Sequence, residues 1–526
     1  MLVALLTLTA CSKGGPRADL LSRVPADRDV AVVGDLGVIV ESLGGTVDGS
    51  EITVPDYLLT AMMSDDDKQL VRFIRSLSQS GINLEDIAVA FKYNDYSSVA
   101  VMKVDDESLL YSFSKANNFA ELPTQKGVRF YKIDRISGSD VPARIAMGLK
   151  DDYVYLAIDK NSEKSGTQLI SSFIAAANAS ALSKTDLKDY LLEGNAASGV
   201  MRWSYDMKQT WRTLGVPKEM SDLCNGYICF DLTLEGQKAS GSLRLLDQKG
   251  KKVDSKIFSK FIDMDGRIST GAMKYINHDE TYVYAMAMKK FNWDLLTGAA
   301  TRKLNGPQAF MAGTIIGYLK KIDGTVAVGL NVGSGNLNDI SELQKSLGFT
   351  AVLELKKGKT AFKDIKSLIQ SIGVPFSESG NNAISISMKP LIDGDLNILY
   401  DGDYLVVSSR AINKSGDNPV VKSNDFGRYL MAYGAQMGNG SSVPGFTVPF
   451  DCDMFWGFDG ADVRVDYKIS LNGGQGRGFL EKFARASIEQ MQMRQKQMPA
   501  SAIVDQEPDS DDDFYDIDDE EMLEIE

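Results

Sequence analysis

The sequence predicts an α+β protein made of two tandem duplicated domains, each a mainly antiparallel sheet with interspersed helices. Three observations lead there. Short apolar stretches with period-two alternation recur along the chain, as half-buried strands require. Between them lie segments with the helical period, but not in the strict strand-helix alternation of a parallel sheet. Finally, a set of short motifs occurs twice in the same order. Asp152-Tyr153-Val154 is echoed by Asp403-Tyr404-Leu405, Asp186-Leu187-Lys188-Asp189-Tyr190-Leu191 by Asp425-Phe426-Gly427-Arg428-Tyr429-Leu430, and Cys224 with Phe230-Asp231 by Cys452 with Phe458-Asp459.

The elements follow in parallel through the two halves. A strand at 29–33 is matched by one at 281–285. A helix carrying Leu70, Val71, Phe73, Ile74 and Leu77 is matched, less regularly, by Phe310, Ile315, Ile316 and Leu319. Strands at 87–93 and 98–104 correspond to 325–331 and 350–355, and a helix begins after the second strand of each pair. Paired strands at 144–149 and 153–158 correspond to 396–400 and 404–408. The turn cluster Asp263-Met264-Asp265-Gly266 marks the joint.

At 526 residues the chain is too long for one hydrophobic core, and at 44% hydrophobic it is globular in composition. We divide it into residues 1–10 as a signal peptide, 11–22 as a lipidated Cys and tether, 23–262 as the first repeat, 263–280 as a linker, 281–495 as the second repeat and 496–526 as an acidic tail.

The net charge of −14 is concentrated in that tail. Asp505 to Glu526 hold 13 acidic residues and no Lys or Arg, leaving 58 acids against 57 Lys and Arg elsewhere. The body is near neutral, with no basic field for nucleic acid. Repulsion at that charge density predicts a disordered tail.

Leu8-Thr9-Ala10-Cys11 has the form of a lipobox, so Cys11 is expected to be acylated and to become the first mature residue. Ser12-Lys13-Gly14-Gly15-Pro16 then reads as a tether. The leader is shorter than the usual 15–30 residues and lacks Lys and Arg, which points to a start further upstream. No later segment reaches the 18 or more apolar residues of a membrane span. Lipid on Cys11 is therefore the expected membrane attachment.

Of the other cysteines, Cys224 and Cys229 flank Asn225-Gly226-Tyr227-Ile228, a four-residue loop that would bring them within disulfide range. Burial as small apolar residues is the equal alternative. No cofactor and no metal site is indicated, because His278 is the sole histidine and the cysteine spacing fits no four-ligand zinc set.

Catalytic patterns are incomplete in the same way. His278 lies in the polar stretch Asn277-His278-Asp279-Glu280 and reads as a solvated loop residue. Gly358-Lys359-Thr360 stands between a strand and a helix, but the leading glycine of a phosphate loop is replaced by Leu353, so a helix-capping turn is expected. In the tail, Asp509, Asp511, Asp513 and Glu520 fall at Ca²⁺-loop spacing, with Phe514 where Gly makes the sharp turn. Phe230-Asp231 and Phe458-Asp459 read as core and turn positions repeated by the duplication.

With the lipobox, the run Val24-Pro25-Ala26-Asp27-Arg28-Asp29-Val30-Ala31-Val32 resembles a family of uncharacterised lipoproteins from Bacteroidetes-type bacteria. That resemblance implies location and no activity. Surface-exported lipoproteins of such bacteria carry acidic residues after the Cys, and Ser12-Lys13-Gly14-Gly15 implies the periplasmic side of the outer membrane instead. The expected role is non-enzymatic binding or structure, toward an envelope protein or polymer. A carrier of lipid or another apolar ligand, and a carboxylate-dependent hydrolase, are the alternatives.

Overall fold

Alternation of side-chain character builds most of the strands, because successive residues of an extended chain face opposite sides of a sheet. The computed structural model describes residues 16–497 apart from internal stretches, the longest being 62–78, 205–224, 294–316 and 332–347. The expected helices at 70–77 and 310–319 fall largely outside the described residues, as does the tail.

The first half contributes β1 (Val30–Asp35), β2 (Ile82–Lys92), β3 (Ser97–Val104), β4 (Ala120–Gln125), β5 (Val128–Arg135), β6 (Pro142–Lys150), β7 (Tyr153–Ile158), β8 (Ala197–Ser204), β9 (Asn225–Glu235) and β10 (Lys238–Leu246). The second contributes β11 (Tyr282–Ala287), β12 (Ile322–Asn331), β13 (Gly348–Leu355), β14 (Phe376–Glu378), β15 (Ala383–Ser387), β16 (Asp395–Asp401), β17 (Tyr404–Ser408), β18 (Met431–Met437), β19 (Asp451–Asp459) and β20 (Arg464–Asn472).

These twenty strands form one sheet in which every pairing is antiparallel, and two short strand pairs, Thr46–Asp48 with Glu51–Thr53 and Ser442–Val443 with Phe446–Thr447, stand apart from it. From one edge the order is β4-β5-β6-β7-β3-β2-β1-β8-β9-β10. β10 then pairs with β20, and the sheet continues β19-β18-β11-β12-β13-β17-β16-β15-β14.

Ten helices are present among the described residues: α1 (Pro16–Ser22), α2 (Leu36–Ser42), α3 (Asp56–Ala61), α4 (Glu107–Ala116), α5 (Gly166–Ala179), α6 (Lys188–Leu191), α7 (Thr270–Met273), α8 (Gly358–Ser371), α9 (Pro419–Lys422) and α10 (Phe479–Gln497). Local chemistry sets several starts. Asp106 caps α4 by accepting from Ser108 and Leu109 N–H, and Ser165 forms a capping box with Gln168 at α5.

The helices bury the two faces of the sheet. On the first face, Leu20 and Leu21 of α1, Phe173 of α5 and Leu191 of α6 pack on Ala31, Ala88, Val101 and Cys229. Further along that face, Ala272 and Met273 of α7 and Val420 of α9 pack on Val283, Ala327, Val352 and Val406. On the second face, Phe113 of α4 covers Ile87, Met102 and Val154, and Phe362 and Ile369 of α8 cover Ile384, Ile398 and Leu405.

Three expectations are corrected. Residues 16–22 of the tether form a helix with Leu20 and Leu21 both 1% exposed, because the apolar pair seals the core under β1. The 263–280 linker is likewise packed: its turn residues precede Ile268, Met273, Tyr275 and Ile276, all buried against the sheet. Asn225 to Ile228 form no hairpin loop; they are the first residues of β9, and Cys224 lies outside the described residues.

Candidate functional site

The junction of β10 and β20 has a regular register, from Lys238 opposite Ser470 to Arg244 opposite Arg464. Alternation sends Arg244, Ser242, Arg464 and Asp466 to the first face and Leu243 and Val465 to the second. Asp231 on β9 joins the charged set through Ser242, whose N–H and hydroxyl donate to its Oδ2 at 3.1 and 2.5 Å. Tyr429 and Arg428 are supplied by the turn before β18. Together with Glu193, Gly241, Phe455, Tyr467 and Lys468 these residues line a cavity of about 430 Å³.

The charges are unevenly matched. Arg464 reaches Asp466 through Nε at 2.8 Å and Nη2 at 3.1 Å, Arg428 Nη2 lies 3.4 Å from the same carboxylate, and Tyr429 Oη donates to it at 3.0 Å. Burial, then the negative charge of Asp466, pushes the Tyr429 phenol up to about 12. Arg244 is looser: Nη1 is 3.5 Å from Glu193, its guanidinium lies 5.1 Å over the Tyr190 ring, and its buried Nε has no hydrogen-bond partner. Burial raises the Asp231 carboxyl above its ordinary value, with the Ser242 hydrogen bonds opposing. Tyr467 Oη donates to the Asp231 carbonyl at 2.7 Å and closes one wall.

The other face of the same region is apolar. Among the described residues, Met201, Leu243, Tyr284, Leu330 and Met431, each 36–38% exposed, are the large exposed apolar residues carried by strands of the main sheet, and all five lie on the second face. Their neighbours Val200, Arg244, Val283 and Ala432 belong to the first.

A separate buried group sits near the start of the second half. Glu280 is 1% exposed; its Oε2 accepts from Asn277 N–H at 2.8 Å, and burial raises its pKa. Asn277 also donates to Thr350 at 2.8 Å, and Asn418 donates to the carbonyls of Asn277 and Glu280 at 2.6 and 2.9 Å. This network fastens the loop after α7 to β13 and α9.

Of the residues named in the sequence motifs, Asp231, Arg428 and Tyr429 enter the cavity. Asp231 is a mid-strand residue of β9 and not a turn position, which corrects that expectation; Asp459 does end its strand. His278 is exposed, its Nδ1 3.3 Å from the Asp417 carbonyl oxygen. Gly358-Lys359-Thr360 opens α8, with Gly358 packed on the Tyr400 ring. Cys229 and Cys452 are buried free thiols, pushed by burial to about 12 and about 11. Cys11, Cys224 and the tail carboxylates lie outside the described residues. Arg244, Arg464 and Asp466 were not singled out; the visible signal was charge at alternate positions of two apolar strands.

Among the described residues no three His, Cys, Asp or Glu side chains are grouped to hold a metal ion, and no helix is long and apolar enough to cross a membrane. No family model and no curated protein matches the chain. Among solved structures, crystal form I of TP0453 is 8% identical with a TM-score of 0.24, covering 47% of this chain and 88% of that one. Form IV is 12% identical with a TM-score of 0.26, covering 43% and 79%, and form III is 9% identical with a TM-score of 0.20, covering 77% and 98%. At those scores the likeness carries no argument about fold or activity.

Proposed function

We propose that this chain is a lipid-anchored envelope protein of two duplicated halves that binds a ligand at their junction and is not an enzyme. Several features support the duplication. Strand order from β4 to β10 repeats from β14 to β20. The irregularity between Ile82 and Ile87 in β2 recurs between Ile322 and Val326 in β12. Arg17 of α1 meets Asp86 at that irregularity, and the Ser269 N–H before α7 donates to Thr325 at the corresponding one. Tyr190 contacts Arg244 on β10, as Tyr429 contacts Asp466 on β20.

If Phe230 and Phe458 are equivalent, so are their cross-strand partners Leu243 and Val465, and these two face each other across the junction. A local two-fold axis then passes between them. The observation that carries the functional reading is that the cavity forms where the halves meet, from side chains of both. Such a site exists only while the halves are joined.

Lipid on Cys11 would tether the body to the outer membrane on its periplasmic side, where the partner is an envelope protein or polymer. A photoreactive residue at Lys468, on the cavity lining, should then crosslink a discrete partner in cells, while one at exposed Lys184 should not. Equal labelling from both positions sinks the reading. Cys11→Ala should move the protein from the membrane to the soluble fraction; sedimentation with membranes in high salt would remove the anchor.

A carrier of lipid or another apolar ligand is the second reading, favoured by the five exposed apolar residues of the second face. Carboxylate-dependent hydrolysis has less support, because Asp466 is engaged by two guanidiniums and a phenol. Turnover of a glycan, ester or peptide that Asp231→Asn abolishes without unfolding would reinstate it.

A further inference from the structure

Three arginines and a lysine share the junction cavity with three carboxylates, and the pairing among them is asymmetric. Asp466 is shared between Arg464 and Arg428, and the other carboxylate paired with Arg464, on Asp462, is at 3.9 Å. Arg244 stands directly across the strand pair from Arg464, and like charges at facing positions oppose pairing of the strands. Its nearest carboxylate oxygen, on Glu193, is at 3.5 Å, beyond the usual range of a charge-assisted hydrogen bond.

The Arg244 side chain is 10% exposed, and its Nε is buried with no hydrogen-bond partner. A guanidinium carries five N–H donors in a planar fork that matches the two oxygens of a carboxylate or phosphate. Lying over the Tyr190 ring leaves that fork its in-plane edge for such a group. A cavity of about 430 Å³ is the size of a small-molecule site.

Resting on the reading of the junction as a binding site, we infer that it receives an oxyanion, the carboxylate or phosphate of a small organic ligand, held by Arg244 with Arg464 and Arg428. The anion relieves the repulsion between the facing guanidiniums. Asp231, hydrogen-bonded to Ser242 and within reach of the Arg244 charge, faces the polar remainder of the ligand and disfavours a second negative charge there. The site therefore selects a single anionic group on an otherwise neutral or cationic small molecule.

Calorimetric titration of the intact chain with inorganic phosphate, phosphoethanolamine and acetate tests this. Saturable binding is expected, weakened about tenfold or more by Arg244→Lys, which keeps the charge and loses the fork. Arg428→Gln is the second variant; its side chain is 52% exposed, so it leaves the fold undisturbed and should still weaken binding severalfold. Tighter binding of phosphoethanolamine than of inorganic phosphate assigns the anion to a lipid-type headgroup, and the reverse assigns it to a free anion. No saturable heat with any of the three, or binding that neither substitution changes, overturns the inference. If titration fails while crosslinking from Lys468 still captures a partner, the ligand chemistry is wrong and the junction site stands; if both fail, the site itself falls.

Discussion

Replacing Asp466 with Asn tests the electrostatics of the junction directly. The substitution preserves shape and an acceptor for the Tyr429 hydroxyl, but it removes the anion between Arg464 and Arg428. Arg464 then faces Arg244 across the strand pair with Asp462, at 3.9 Å, and its cross-strand neighbour Asp459 as the remaining carboxylates. Hydrogen bonds to charged groups contribute about 1.5–3 kcal/mol, and stranding one member of a fully buried pair costs about 3–5 kcal/mol. Because the Arg464 and Asp466 side chains are 17% and 22% exposed, solvent screens part of this, and the expected loss is about 2–3 kcal/mol. Thermal midpoints read it poorly: unfolding entropy of about 2 cal/mol/K per residue makes that loss only about 2–3 °C if the whole chain unfolds together. Urea unfolding is the better assay, with a lower midpoint at unchanged slope. Asp462→Asn, on the same strand approach but with a carboxylate 36% exposed, is the control and should cost under about 1 kcal/mol. Added phosphate should restore more stability to the Asp466→Asn variant than to the parent. A loss below about 0.5 kcal/mol, or one equal to the control, would refute the reasoning.

Gly241→Val should destabilise by about 1–3 kcal/mol in urea, because a β-carbon there collides with the Asp231 carbonyl oxygen and crowds Tyr467 Oη; a neutral result would mean that β9 and β10 separate freely. Burial raises the Asp86 carboxyl to about 6 despite the adjacent Arg17. A raised carboxyl contributes stability below its unfolded value that is lost as pH rises through the folded one, so the parent should lose about 2–3 kcal/mol relative to Asp86→Asn between about pH 4 and 7. A flat difference across that window contradicts it. Truncation after Met498 should leave the melting temperature within error, since the tail composition offers little apolar surface to bury; a drop of several degrees would show that the tail docks.

The strands were legible because their signal is local. Alternation in Tyr282 to Ala287 needs only neighbouring residues. Turn chemistry misled where packing outweighed it. Pro16 and Gly266 punctuate the chain as a tether and a linker would, yet Leu20, Leu21, Met273 and Ile276 a few residues later are drawn into the core. Asn225-Gly226 has hairpin composition, but pairing with Ser204 and Trp203 of β8 keeps it extended.

The sequence by itself determined the α+β class, the positions of ten of the twenty strands and the concentration of net charge in the tail. It could not determine that β10 pairs with β20. A charged residue at an alternate position has the same local pattern whether it faces water or a partner strand, and period two says nothing about which strand lies alongside. Only the tertiary pairing, closing more than 200 residues of chain, sets Arg244 opposite Arg464 and makes a cavity from residues that are ordinary solvent-facing charges in each strand alone.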